Sequence, residues 1–147
     1  MAVTPITKAV SRRKLQVKWV KNKYNATRSD ADGRTFASKG ERDCYLMLKM
    51  LVQAEEYRDL ECQVTTRFPI AGLTHKTDFK VWDIKRNEPL WVEYKGFEDQ
   101  RWRDIKKIWR HCGPGRLKIY KGYGLRMILV EEIIPIEGGL KCTTNGL

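Results

Sequence analysis

Three charged residues in the middle of the chain have types and spacing suited to phosphodiester chemistry. Asp78 is followed some fifteen residues later by Glu93-Tyr94-Lys95. Side chains alternate along a strand. If Thr77–Asp83 and Leu90–Lys95 are strands, Asp78 and Lys80 share one face, with Phe79 and Val81 on the other. Likewise Glu93 and Lys95 share a face, with Val92 and Tyr94 opposite. A hairpin turning between Arg86 and Asn87 sets Asp78 across from Lys95 and Lys80 across from Glu93. Asp78 and Glu93 are then diagonal neighbours, roughly 7–8 Å apart at the backbone. Two carboxylates so placed grip one hard cation such as Mg²⁺, which takes oxygen ligands and keeps several waters. One such water becomes a nucleophile toward a phosphodiester, and Lys95 stabilises charge on the phosphate or orients the water. The same residues also fit an ordinary solvated strand face with cross-strand ion pairs.

Other residues gather around these. Ser38-Lys39-Gly40-Glu41 has the form of a helix capping box, so Glu41 either completes the cap or leans toward the sheet edge as a further acid. Gln63 points into the site or satisfies backbone groups. His75 is a loop histidine or, less directly, a general base.

The elements that must position these groups follow from periodicity and turn chemistry. Asp30-Ala31-Asp32-Gly33 separates Lys23–Thr27 from Arg34–Ala37 as a small hairpin. A helix runs from the capping box to about Tyr57, with Cys44, Tyr45, Leu48, Leu51 and Val52 as its buried stripe. Cys62–Pro69 is a strand, ahead of the two that carry the acids. Glu98–Cys112 is a second helix with Trp102, Ile105, Trp109 and Cys112 on its apolar face, stopped by Gly113-Pro114-Gly115. Leu117–Tyr120 and Leu125–Glu131 close the domain as strands. The order predicts one α/β domain around a mixed sheet.

Composition limits the partners. The 147 residues carry 29 Lys+Arg against 18 Asp+Glu, a net charge of +11, and the length fits a single domain. Hydrophobic residues at 41% exclude a wholly disordered chain. No aliphatic run approaches a membrane span. The basic start lacks the apolar stretch of an export signal, so a cytoplasmic location is expected. Cysteines 44, 62, 112 and 142 have no zinc or redox spacing and read as reduced thiols, two of them packed in a core. The charge is concentrated: residues 1–28 hold eight basic side chains and no acid, and residues 101–126 hold nine against one. Basic blocks interleaved with Trp19, Tyr24, Trp102 and Trp109 suit a phosphate backbone. Arg12, Arg13, Lys14 and Lys18 on the arm, Lys39, and Arg103, Lys106, Lys107 and Arg110 on the second helix are the candidate DNA contacts.

Glu41, then Thr77-Asp78, then Glu93-Tyr94-Lys95 resemble the PD-(D/E)XK nuclease motif, with Thr77 in place of its proline. Phe36–Glu41, Asp78-Phe79 and Glu93–Phe97 further resemble a family of small phage endonucleases related to Holliday junction resolvases of the archaeal Hjc type. The likeness runs from about Tyr24 to Lys121. It implies a restriction-endonuclease-like domain at 23–135, a central mixed sheet flanked by helices, between a basic arm at 1–22 and a C-terminal tail at 136–147. It implies Mg²⁺, with Mn²⁺ as a substitute, held by Asp78, Glu93, the Tyr94 carbonyl and Glu41, with Lys95 as the catalytic lysine. It further implies a homodimer that cuts branched or four-way-junction DNA, in a bacterial host cytoplasm if phage-encoded. Two other readings stay open: a DNA-binding accessory protein without catalysis, and a flap, nicking or restriction-like nuclease. Carboxylates repel a phosphodiester unless a cation intervenes, which favours the nuclease.

Overall fold

A computed structural model of the chain describes residues 28–136. The basic arm with Arg12, Arg13, Lys14 and Lys18, the segment Lys23–Thr27 and the tail from residue 137, with Cys142, lie outside the described residues.

The first hairpin is tighter than the sequence suggests. β1 (Ser29–Ala31) pairs with β2 (Arg34–Phe36) across Asp32-Gly33 alone. Both turn residues have positive φ, 49° and 70°, which suits the right-handed twist of the flanking strands. The strand that pairs with β2 is the three residues directly before this turn. α1 (Lys39–Gln53) starts where expected, with Ser38 Oγ accepting from the Glu41 N–H at 3.0 Å. It stops at Ala54, short of Tyr57. Glu56 N–H donates to Leu51 O and Glu55 N–H to Val52 O, the Schellman pattern that satisfies the last carbonyls. Glu55, at φ 59°, holds the left-handed position where glycine is usual, so no glycine marks this helix end.

Five strands form the main sheet in the order β3-β4-β5-β6-β7. β3 (Tyr57–Phe68), β4 (Leu73–Asp83) and β5 (Glu88–Tyr94) are antiparallel neighbours. β3 begins earlier than the expected Cys62 because Tyr57, Arg58 and Glu61 pair with Asp83, Trp82 and Lys80, and β4 begins earlier than Thr77 because Leu73–Lys76 pairs with Thr65–Phe68, beyond the end of β5. A parallel neighbour needs a crossover, and α2 (Gln100–Cys112) supplies it between β5 and β6 (Arg116–Lys121). Asp99 caps α2, its Oδ1 accepting from Trp102 N–H at 2.8 Å, so this helix begins at Gln100 rather than Glu98. β7 (Ile128–Ile133) pairs antiparallel with β6. It starts after Leu125 because Gly124–Arg126 form a 3-10 turn.

The sheet is covered on both faces, so β5 is buried on both sides. Cys44, Tyr45 and Leu48 of α1 pack on Phe79, Val81, Leu90 and Val92, with Phe36 and Tyr57 completing the cluster. On the other face Trp102, Ile105 and Trp109 of α2 pack on Trp91, Leu117, Ile119, Phe68 and Ile133. Trp109 sits edge-on to Trp91 and Phe68 at 5.9 and 5.7 Å, an arrangement aromatic quadrupoles favour. Of the expected stripe, Cys112 is only half-buried. Arg116 ties the β4–β5 turn to β7 through Asp83, Glu88 and Glu132.

One close approach couples α1 to β5. A Cβ on Gly40 would stand 1.9 Å from the Tyr94 hydroxyl oxygen and 2.0 Å from its ring. Glycine to alanine inside a helix ordinarily stabilises, by roughly 0.5–1 kcal/mol. Here Gly40→Ala is expected to destabilise instead, by on the order of 1 kcal/mol, because the Tyr94 ring must move. Calorimetric melting of the variant reads the sign directly.

Candidate functional site

The β4–β5 register differs from the expected one by two residues. Pairing runs from Asp83↔Glu88 to Phe79↔Val92, so the turn is centred between Lys85 and Arg86. The Asp83 carboxylate accepts from Arg86 N–H at 3.1 Å, which holds the turn there. A slip of two keeps every side chain on its predicted face. It sets Asp78 directly across from Glu93 instead of diagonal to it. In the β3–β4 register Gln63 falls across from Asp78, between the pairs Cys62↔Phe79 and Val64↔Thr77. Gln63, Asp78 and Glu93 thus lie in one row across three strands.

The two acids end the β4–β5 ladder. Asp78 N–H donates to Glu93 Oε2 at 3.1 Å, and Tyr94 N–H donates to Asp78 Oδ2 at 2.9 Å. Each carboxylate thereby satisfies a backbone donor of the neighbouring strand. Glu93 is 1% exposed, and its Oε1 meets Lys95 Nζ at 3.1 Å. Lys95 Nζ also lies 4.8 Å from the Trp102 ring centroid, so α2 helps hold the lysine. Glu41 is 8% exposed. Its Oε2 accepts from Ala37 N–H at 3.2 Å and its Oε1 from Gln63 Nε2 at 3.1 Å. Glu41 thus accepts from the residue before the N-cap, Ala37, rather than from the Ser38 N–H that a capping box would use, and its other oxygen turns to Gln63 on β3. Gln63 Nε2 is also 3.5 Å from Asp78 Oδ1, and Gln63 holds φ at 56°, a strained value for this residue type.

His75 is a strand residue of β4, not a loop residue. Its Nε2 is 3.4 Å from Glu93 Oε2 and its ring packs against Trp102 at 5.5 Å. The structure therefore gathers Glu41, Asp78, Glu93 and Lys95, and adds Gln63 and His75 around them.

Burial, together with the charges of Glu93 and Glu41, holds the Asp78 carboxyl well above its ordinary range. Burial, and secondarily Glu93, raises Glu41. Three acids crowd one another with Lys95 as their nearby cation. Among the described residues no group of three His, Cys, Asp or Glu is arranged as a ready ion site, and protein donors engage each of the three carboxylates. The donor set still fits a hard divalent cation in kind: all oxygen, anionic, and raised in energy by mutual repulsion that a cation relieves.

The site opens into a cleft of about 950 Å³. It is lined by Arg28, by Arg34–Ser38, by Glu41, Cys62, Gln63 and Asp78, and by Tyr94–Phe97 with Asp99; Glu93 lies beneath, outside the lining. Arg28 and Arg34 were not among the expected DNA contacts. Their signal was faint, an arginine on each side of an Asp-Gly turn just before the capping box. Of the expected contacts, Lys39 lies over the Tyr123 ring at 5.3 Å. Arg103 and Lys107 are exposed on α2. Lys106 is engaged by Glu98 and Glu131 at 2.8 and 2.9 Å, and Arg110 by Glu131. These two face β7, whose acid neutralises them, so α2 offers less open positive charge than its sequence suggests. Cys44 is buried with its thiol pushed up by burial. Cys62 and Cys112 are half-buried, and Cys44 and Cys62 are free thiols. No helix among the described residues is long and apolar enough to cross a membrane.

A raised carboxyl pKa opposes folding once the group ionises. The folded state binds the Asp78 proton more tightly than the unfolded chain, so stability falls as pH rises from the ordinary carboxylate range through the raised value. Asp78→Asn keeps an acceptor for Tyr94 N–H and removes that charge. The variant is expected to melt above the wild type at about pH 7, with the gain vanishing at acid pH where Asp78 is protonated in both states. Thermal melting across a pH series checks the sign.

The chain matches no protein-family model, and comparison with the curated proteins and with the solved structures found no match.

Proposed function

We propose that this protein is a Mg²⁺-dependent, structure-selective endodeoxyribonuclease of PD-(D/E)XK architecture, foremost a resolvase of four-way or branched DNA. The observation that supports the reading is the cluster of Asp78, Glu93, Glu41 and Lys95: Glu93 accepts from the Asp78 N–H and lies 3.1 Å from Lys95, Gln63 bridges Glu41 and Asp78, and Glu41, Asp78 and Lys95 line one cleft. Asp78 and Glu93 would hold Mg²⁺, or Mn²⁺ in its place, with the Tyr94 carbonyl and Glu41 in support. When bound, the ion polarises the scissile phosphate and makes water acidic enough to attack it. Lys95 is placed to hold the negative charge that develops on the phosphate oxygens. Gln63 Nε2 lies between Glu41 and Asp78 and orients both carboxylates. Arg28, Arg34, Arg103 and Lys107 bring the DNA backbone to the cleft.

Resolving a junction takes two nearly symmetric cuts, and one chain offers one cluster of acids. A homodimer with twofold symmetry supplies the second. The free thiols fit a reducing cytoplasm. A second reading, a DNA-binding accessory protein, draws support from the protein donors that already engage each carboxylate. Ion dependence separates the two.

Labelled four-way junction and matched linear duplex are incubated with Mg²⁺ or EDTA. Wild type is expected to cut the junction selectively and only with Mg²⁺. Asp78→Asn is expected to lose cutting and retain binding. Lys95→Ala is expected to lower kcat by about 10²-fold at unchanged DNA affinity. Tight binding with no cutting of either substrate would establish the accessory reading.

A further inference from the structure

Glu98 and Glu131 neutralise Lys106 and Arg110 of α2, but open positive charge lies on the loop between β6 and β7. β5 and β6 are parallel, so both end on the side of the sheet where the acids gather. Lys95 N–H donates to Tyr120 O at 3.0 Å, and the loop follows within two residues. Lys121, Tyr123 and Arg126 are exposed there, as is Lys39 at the start of α1. Residues 116–130 hold no acid. Among the described residues none of Lys39, Lys121 and Arg126 makes an ion pair with a carboxylate. The loop is also tied down. Gly122 holds φ at 95°, and a Cβ there would stand 2.1 Å from Arg126 O. Gly124 N–H donates to Asp43 Oδ2 at 2.9 Å, and Arg42 meets the charge of Asp43 at 2.8 Å. Lys39 stands in the first turn of α1, where the helix dipole disfavours a cation, so helix stability does not account for it. Its Nζ lies 5.3 Å from the Tyr123 ring centroid, which brings the cation of α1 to the loop. None of these four residues lines the cleft, so they extend the basic surface outward from it.

We propose that Lys39, Lys121 and Arg126 form a phosphate clamp for a duplex DNA arm beside the acid cluster, with Tyr123 positioning Lys39. Duplex DNA carries one negative charge per about 1.7 Å of its axis, so cations held on one braced surface meet successive phosphates without further ordering of the loop. Phosphate contacts fix orientation and carry no base information, which suits recognition by shape. This rests on the reading of the protein as one that acts on DNA, and adds to it where a duplex arm lies relative to the acids.

The test measures binding of the full chain to a labelled blunt duplex by fluorescence anisotropy, in Ca²⁺, across a salt series. Lys39→Gln, Lys121→Gln and Arg126→Gln combined are expected to flatten the salt slope by about 2.7, at roughly 0.9 per phosphate contact. A charge-matched variant at the opposite end of the sheet, Arg58→Gln with Lys85→Gln and Arg86→Gln, is expected to leave the slope unchanged. Lys121→Gln and Arg126→Gln made singly are each expected to flatten it by about 0.9, which decides the matter even where the combined variant does not fold. An equal change in both combined variants, or no change in the first or in the single ones, would overturn the clamp. Polyglutamate that binds the wild type as tightly as the duplex, and is weakened by the same substitutions, would assign the surface to an acidic protein and also overturn it. Mg²⁺ cleavage of a four-way junction, lost in Asp78→Asn, tests the underlying reading separately. Cutting with an unchanged slope keeps the nuclease and removes the clamp. The slope change without cutting keeps the clamp and removes the nuclease.

Discussion

The site depends on one exchange of hydrogen bonds. Where the β4–β5 ladder stops at Phe79↔Val92, Asp78 and Glu93 take over its work by accepting Tyr94 N–H and Asp78 N–H. A backbone donor left unpaired in a buried place costs about 1–3 kcal/mol, so the strand ends must be satisfied by something. Here they are satisfied by carboxylates, and that ties the acids to the backbone they would otherwise only decorate. The position of Lys95, one residue past β5, follows from the same junction, since its N–H continues to Tyr120 O on β6.

That arrangement keeps anionic groups close together in a buried place. Burial and mutual repulsion raise Asp78 and Glu41, and the fold tolerates this because neighbouring elements brace it. α1 brings Glu41 in through its first turn, with Gly40 leaving room for the Tyr94 ring. α2 brings Trp102 against both Lys95 and His75. The two apolar clusters on either face of the sheet supply the burial that offsets the repulsion. Strain at Gln63, at φ 56°, belongs to the same pattern of local cost held in place by surrounding packing.

Much of the fold was legible because its signals are local. The Ser-x-x-Glu cap placed the start of α1, and the 3.6-residue stripe identified Cys44, Tyr45 and Leu48 as core. The Trp102, Ile105 and Trp109 face of α2 was read the same way. The end of α1 was not legible, because Glu55 occupies the position where glycine would have announced it. The starts of β3 and β4 were hidden too, since Tyr57–Glu61 becomes strand only by pairing with Lys80–Asp83 and Leu73–Lys76 only by pairing with Thr65–Phe68. Lys106 and Arg110 looked like an open cationic face because nothing in α2 itself shows that β7 carries Glu131 opposite them.

The sequence by itself determined which residues share a face. Alternation along a strand has a period of two, so Asp78, Glu93 and Lys95 stay on one side under any slip by two. Tertiary structure decided the register. The Asp83–Arg86 turn and the cores on both sides of β5 moved Glu93 opposite Asp78 and set Gln63 beside it. It also decided that Arg28 and Arg34 line the cleft. The physical reason is range: caps and periodicity are written in neighbouring residues, whereas register and cleft lining come from closing long loops against a shared core.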